Sequence, residues 1–379
     1  KYRNMNGNTA VAWGLMAAAE KAQLPLFLGS YPITPATDIL QELAKHKNLG
    51  VKTFQAEDEI AGICTAIGAA YAGNLAVTTT SGPGLALKTE AIGLACIMEL
   101  PIVIVNVQRG GPSTGLPTKT EQADLLQALY GRNGEAPCIV IAATSPSDCF
   151  DYAYMSAKLS LEHMTPVILL TDGFLANGSQ PWKIKSMNEL PSITPRIQKD
   201  KLSEHTPFMR NNDTLARNWV IPGTPELMHR IGSLEKDYVT GQASHVPENH
   251  HKMVALRKEK VDKVVTKIPH IQVEGEEYGD LLVVGWGGTY GHLLSAVQEL
   301  LLEGKHVALA QFNYIKPLPA NTKEVFKRYK KILVCELNLG QFANYLRIEC
   351  QEFSYEQYNK VQGLPFTVEE IKHECLKYL

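Results

Sequence analysis

Between Leu26 and Thr171 the sequence repeats one unit: a short, mainly apolar run, followed by a stretch with helical spacing. Leu26–Ser30, Val51–Gln55, Leu75–Thr80, Pro101–Val107, Cys138–Ala143 and Pro166–Thr171 read as strands. Thr37–His46, Ile60–Ala72, Leu85–Leu100 and Ser147–His163 read as helices. A strand without a polar side must be covered on both faces, and intervening helices supply that cover, so the pattern predicts a parallel α/β sheet. From about Asn177 to Lys267 the alternation stops, prolines and charges rise, and only Met253–Val265 has helical spacing. It resumes at Asp280, with strands over Leu281–Val284, His306–Gln311 and Ile332–Cys335, and helices over His292–Gly304, Thr322–Tyr329 and Gln341–Phe353. The expected division is a first domain at 1–176, a connecting segment with a helix at 177–270, and a smaller α/β domain at 271–379.

A chain of 379 residues, 45% hydrophobic and 20% charged, can bury a large core without staples. Its formal charge of −2 provides no overall basic field for nucleic acid or anionic membrane. The apolar run Pro101–Val107 is far shorter than the roughly 20 residues a membrane helix needs. No signal peptide is apparent. Seven widely spaced cysteines form no C-x-x-C pair, which speaks against a zinc or iron–sulfur site made by this chain alone and for reduced thiols in the cytoplasm.

Ligands of open parallel sheets bind beyond the carboxyl ends of the strands, so the loops there are the places to search. The first is Tyr31-Pro32-Ile33-Thr34-Pro35: a rigid turn in which Thr34 either caps a helix or offers its hydroxyl to an anion. The second, Glu57-Asp58-Glu59, opens a helix whose dipole favours carboxylates; a buried one of the three would suit acid–base work, and the residues alone do not rank them. The third, Thr79-Thr80-Ser81-Gly82-Pro83-Gly84, is a tight turn or a ligand-lining one. Lys88 and Thr89 nearly complete a phosphate-binding loop with it, but Leu87 stands where that loop requires glycine. The fourth follows Arg109 and runs to Lys119. Arg109 ends a buried strand, and its fork needs either an internal carboxylate or a substrate's. In the second domain, Gly285-Trp286-Gly287-Gly288-Thr289-Tyr290-Gly291 only approximates a dinucleotide turn, its last glycine falling one residue late. His245, His250 and His251 match no familiar metal spacing.

In these loops the chain resembles the α subunits of 2-oxoacid:ferredoxin oxidoreductases. Tyr31-Pro32-Ile33-Thr34-Pro35, Glu57, Thr79-Thr80-Ser81-Gly82-Pro83-Gly84 and Arg109 occur in the family's order, and Glu336-Leu337-Asn338-Leu339-Gly340-Gln341 extends the likeness into the second domain. The resemblance implies a first domain that holds the aminopyrimidine of thiamine diphosphate and a second of transketolase C-terminal type. It implies that Glu57 faces the pyrimidine ring, with Tyr31, Pro32, Ile33, Thr80, Ser81 and Gly82 around the cofactor. Thr34 and Arg109 would hold the carboxylate and ketone end of the substrate. The loop from Gly110 to Leu125 looks like that of the enzymes acting on 2-oxoglutarate, with Ser113, Thr118 and Lys119 as partners for a second carboxylate. Coenzyme A would take the acyl group, and electrons would pass to ferredoxin through iron–sulfur clusters.

Thr171-Asp172-Gly173 lacks the first glycine of the G-D-G motif that holds diphosphate and Mg²⁺ in this enzyme class, and Asn211-Asn212 comes too late to complete it. No metal site is therefore expected in this chain. The diphosphate, Mg²⁺ and a [4Fe–4S] cluster would belong to a β-type partner, and a γ-type domain would be separate or fused upstream. Pyruvate or a branched-chain 2-oxoacid, a non-redox thiamine enzyme, and a non-catalytic α/β scaffold stay open as alternatives.

Overall fold

The computed structural model describes residues 1–379. In chain order the strands are β1 (Tyr2–Asn6), β2 (Leu26–Ser30), β3 (Val51–Gln55), β4 (Leu75–Thr80), β5 (Ile102–Gln108), β6 (Ile139–Ala142), β7 (Pro166–Asp172), β8 (Ser179–Lys183), β9 (Val273–Gly275), β10 (Gly279–Trp286), β11 (Val307–Phe312), β12 (Tyr314–Lys316), β13 (Tyr329–Glu336) and β14 (Glu356–Asn359). The first sheet has the order β12-β6-β7-β5-β4-β2-β3, and all its strands are parallel except β12. The second has the order β14-β13-β10-β11-β9, parallel except for β9.

Side chains alternate between two cores along the central strands, as the pleat requires. Val103, Val105 and Val107 of β5, with Val167 and Leu169 of β7, face the helices Gly7–Ala22 and Cys149–His163. Ile102, Ile104, Ile168 and Leu170 face the other way, into a core that continues through Val284, Phe312 and Phe342 of the second domain. The two domains are therefore joined by a shared apolar core, and β12 of the later sequence pairs with β6 of the first sheet. No helix is long and apolar enough to cross a membrane.

The connecting segment is anchored by charge as well as by apolar packing. Trp219 is fully buried, and its indole N–H donates to the Ala70 carbonyl at 3.1 Å. Arg210 closes a two-pronged contact on buried Glu99, at 2.7 and 2.6 Å, and Lys260 reaches the same carboxylate. These cations hold the Glu99 carboxyl well below the usual range, although its burial acts in the opposite direction. Burial and the neighbouring Arg210 and Arg217 push Lys260 down. The connector helix runs over Pro247–Asp262 rather than Met253–Val265, because Pro247 supplies a start signal at its first turn.

Other elements differ from expectation for local reasons. Leu85–Leu100 is two helices, Gly82–Leu87 and Thr89–Met98, meeting at Lys88. The Lys88 ammonium is buried and donates to the Glu59 carbonyl at 2.6 Å. In the second domain the helices stop early, at Phe326 and Glu349. All seven cysteines are unpaired; six are buried and Cys64 is exposed.

Candidate active site

Strands β2, β3, β4 and β5 are parallel, so their carboxyl ends lie along one edge of the sheet. Ser30 is paired with Gln55, and the Ala56 N–H donates to the Ser30 carbonyl at 2.9 Å. Tyr31 and Glu57 therefore leave adjacent strands side by side. The structure distinguishes the three carboxylates that the sequence left unranked. Asp58 caps the helix Glu59–Tyr71, accepting from the Ala61 N–H at 2.7 Å. Glu59 is buried, and a Cβ at Gly84 would stand 2.7 Å from its Cγ. Glu57 has no hydrogen-bond partner or ion pair within the chain and is exposed. Of the three, it alone is free to meet a ligand. The exposed apolar side chains Tyr31, Phe54 and Ile60 surround it in sequence and register.

The turn after β4 carries the opposite signature. Thr80 and Ser81 are fully buried, and the Ser81 hydroxyl has no partner. A Cβ at Gly84 would meet the Thr80 hydroxyl at 2.0 Å, and one at Gly82 would lie 2.7 and 2.8 Å from the Asp124 carboxylate oxygens. Both glycines are required by close approach rather than by backbone dihedrals.

At the end of β5, Arg109 is 7% exposed. One Nη donates to the Thr34 carbonyl at 2.6 Å, while its Nε is buried without an acceptor. No carboxylate closes an ion pair with it, so the internal salt bridge that would account for a buried arginine is missing. Arg109, Gly82, Ser113, Glu121 and Asp124 line a cavity of about 450 Å³ whose far wall is Asn338, Leu339 and Gln341 of the second domain. Asn106 donates to Asp124 at 2.9 Å. Burial pushes the Asp124 carboxyl up, against the pull of Asn106 and Arg109. Glu121 is raised by burial too, with Asp124 adding to the shift.

Of the residues expected at the site, Arg109, the Thr34 backbone, Ser113 and Gly82 come together here. Tyr31, Pro32 and Ile33 lie on the neighbouring strand end, with Ile33 packed against the core. Thr118 and Lys119 are exposed and do not line the cavity; the Lys119 carbonyl and N–H close the loop onto Gly110 and Leu116. Sequence reasoning gave no role to Asn106, Glu121 or Asp124. Nor did it anticipate the clasp in which the Gln122 amide donates to the Trp286 carbonyl at 2.7 Å and accepts from the Leu337 N–H at 3.0 Å. The same clasp fills the glycine turn of the second domain: added Cβ atoms at Gly287 and Gly288 would collide with Gln122 and Asp172. Asp172 itself caps the helix Gly173–Asn177 and accepts from the Thr120 hydroxyl at 2.9 Å. No group of three His, Cys, Asp or Glu side chains is placed to hold a metal ion.

The fold is shared with a split-gene transketolase (TM-score 0.57, 12% identity, covering 99% of this chain and 98% of that one). Residues 18–255 match the family described as pyruvate flavodoxin/ferredoxin oxidoreductase, thiamine diphosphate-binding, and the chain belongs to that family. It is 52% identical to the 2-oxoglutarate oxidoreductase subunit KorA of Mycobacterium tuberculosis, over 98% of this chain and 56% of that protein. It is 32% identical to the 2-oxoglutarate synthase subunit KorA of Methanothermobacter thermautotrophicus, over 98% of both. The 2-oxoglutarate:ferredoxin oxidoreductase of Magnetococcus marinus, solved with 2-oxoglutarate, coenzyme A and succinyl-CoA bound, superposes with a TM-score of 0.93 at 35% identity, covering 100% of this chain and 65% of that one. The chain thus spans a little over half of one of these relatives and nearly all of another.

Proposed function

We propose that this chain is the α-type part of a 2-oxoacid:ferredoxin oxidoreductase that converts 2-oxoglutarate and coenzyme A to succinyl-CoA and carbon dioxide, with ferredoxin taking the electrons. The observation that carries the reading is Arg109: a buried guanidinium with an unpartnered Nε, opening on a cavity at the carboxyl ends of parallel strands. That is the site a planar carboxylate fits. The relatives named for 2-oxoglutarate support the choice of acid.

Thiamine diphosphate fits the residues present. Glu57 is a free carboxylate at the strand edge, and the buried Ser81 hydroxyl lacks a partner. When bound, the cofactor would supply the electron sink for decarboxylation. Glu57 would hold a proton at the pyrimidine ring nitrogen, and Tyr31, Pro32, Ile33, Thr80, Ser81 and Gly82 would form the wall around it. Arg109 and Thr34 would orient the substrate's carboxylate and ketone end. Ser113 in the cavity would read the second carboxylate; Thr118 and Lys119, exposed on the same loop outside the cavity, would join it only if that loop moves.

A β-type partner would hold the diphosphate, Mg²⁺ and the [4Fe–4S] cluster, and a γ-type domain would complete the assembly, in the cytoplasm. The test is dye reduction by the purified complex at low potential, with coenzyme A present and 2-oxoglutarate, pyruvate or a branched-chain 2-oxoacid as donor. Turnover that is fastest with 2-oxoglutarate and dependent on coenzyme A is expected. Absence of reduction with every 2-oxoacid defeats the reading.

A further inference from the structure

We propose that Asp124 is a positioning residue that acts through Arg109, coupling the binding of the oxoacid carboxylate to the uptake of one proton. The inference rests on the oxoacid reading of the Arg109 cavity. Asp124 and Arg109 line the same cavity, without the direct ion pair that would commit the guanidinium to an internal partner. The Asp124 carboxylate has one donor, the Asn106 amide at 2.9 Å, and lies so close over Gly82 that a Cβ there would touch both of its oxygens. The charged groups that face it are Arg109, from the end of β5, and Glu121, from its own loop. Gln108 accepts from the Asp124 backbone N–H at 3.2 Å, and the second-domain side chains Asn338 and Gln341 bring no charge.

With the cavity free of anions, ionised Asp124 partly balances Arg109. A substrate carboxylate placed on Arg109 brings a further negative charge into a low-dielectric space that already holds two carboxyl groups. Like charges there raise each other's pKa, so the ligand favours protonated Asp124. The burial that already pushes Asp124 up, against Asn106 and Arg109, acts in the same direction as the incoming carboxylate. The sign follows from linkage. Binding raises the pKa of Asp124, so protons enter with the substrate, and affinity falls as pH rises above the titration of the free site. The proton comes from solvent and returns to it when the carboxylate leaves as carbon dioxide.

The experiment is the pH dependence of KM and kcat for 2-oxoglutarate in the assembled complex, for wild type, Asp124→Asn and Asp124→Glu. In the wild type KM should climb with pH by up to about tenfold per unit. Asp124→Asn, a fixed neutral isostere, should show a flat KM that lies below the wild type at alkaline pH. Asp124→Glu should keep the slope, displaced along the pH axis. An Asn variant with the wild-type slope overturns the proposal. If the Asn chain fails to assemble, the Glu variant decides: a KM profile superimposable on wild type overturns it and a displaced one supports it. Wild-type turnover tests the oxoacid reading separately, because it does not depend on any change in slope.

Discussion

Arg109 and Glu57, the two charged side chains proposed to meet ligands, are held in opposite ways. Arg109 is desolvated and only part-satisfied by the Thr34 carbonyl. Replacing it with lysine keeps the charge but loses the fork, so kcat/KM for the oxoacid should fall by about tenfold to a hundredfold, mostly through KM. Steady-state kinetics on the complex check this; an unchanged KM would remove Arg109 from the substrate site. Glu57 is kept free by having its neighbours Asp58 and Glu59 absorbed into the helix start. Glu57→Gln should lower kcat by at least about a hundredfold, the scale of a lost proton-transfer group, with unaltered circular dichroism. Retained turnover would rule out the role. The loop residues Thr34, Glu57, Ser81 and Arg109 were legible because turn chemistry and strand ends mark them. Asp124 and Asn106 were not: Asn106 lies inside a strand run whose other residues are all apolar, and the value of Asp124 comes from Gly82, 42 positions earlier in the chain.

At the scale of elements, the central strands of the first sheet were legible from their mainly apolar runs, because burial on both faces favours apolar side chains at most positions. The helix Gly7–Ala22 was missed because alanine and glycine dominate it, so no polar face contrasts with an apolar one. The pair β1–β8 is largely exposed and leaves little hydrophobic pattern to read. Helix Cys149–His163 has a titratable consequence. His163 is 1% exposed, and burial together with Lys260, Lys267 and Lys158 lowers its pKa to about 4 from the ordinary 6.5. A depressed histidine leaves the folded chain neutral while the unfolded chain binds a proton. Stability is therefore fully present above pH 6.5 and falls progressively towards pH 4. The loss should reach roughly 3 kcal/mol. Thermal melts of His163→Leu should show a shallower decline across that window, and parallel wild-type and mutant curves would contradict the assignment.

For the whole molecule, the arrangement of apolar surface states what else must be present. The two domains already satisfy each other through a continuous core and the Gln122 clasp. The corner around Glu57 is different: Tyr31, Phe54 and Ile60 are 37%, 46% and 47% exposed beside a carboxylate proposed to work out of water. Such a corner can be dry only if another polypeptide covers it, which is also the polypeptide expected to bring the diphosphate and the cluster. Ile60→Asp should therefore weaken association with the β-type partner by at least about tenfold, since it places a charge in an interface that excludes water. The stability of the isolated chain should hardly change, because the side chain is half in solvent already. Sedimentation or titration calorimetry of the two purified chains reads the first effect and a thermal melt of the variant reads the second. Undiminished association would place the partner on another face and leave Glu57 without the covered crevice its chemistry needs.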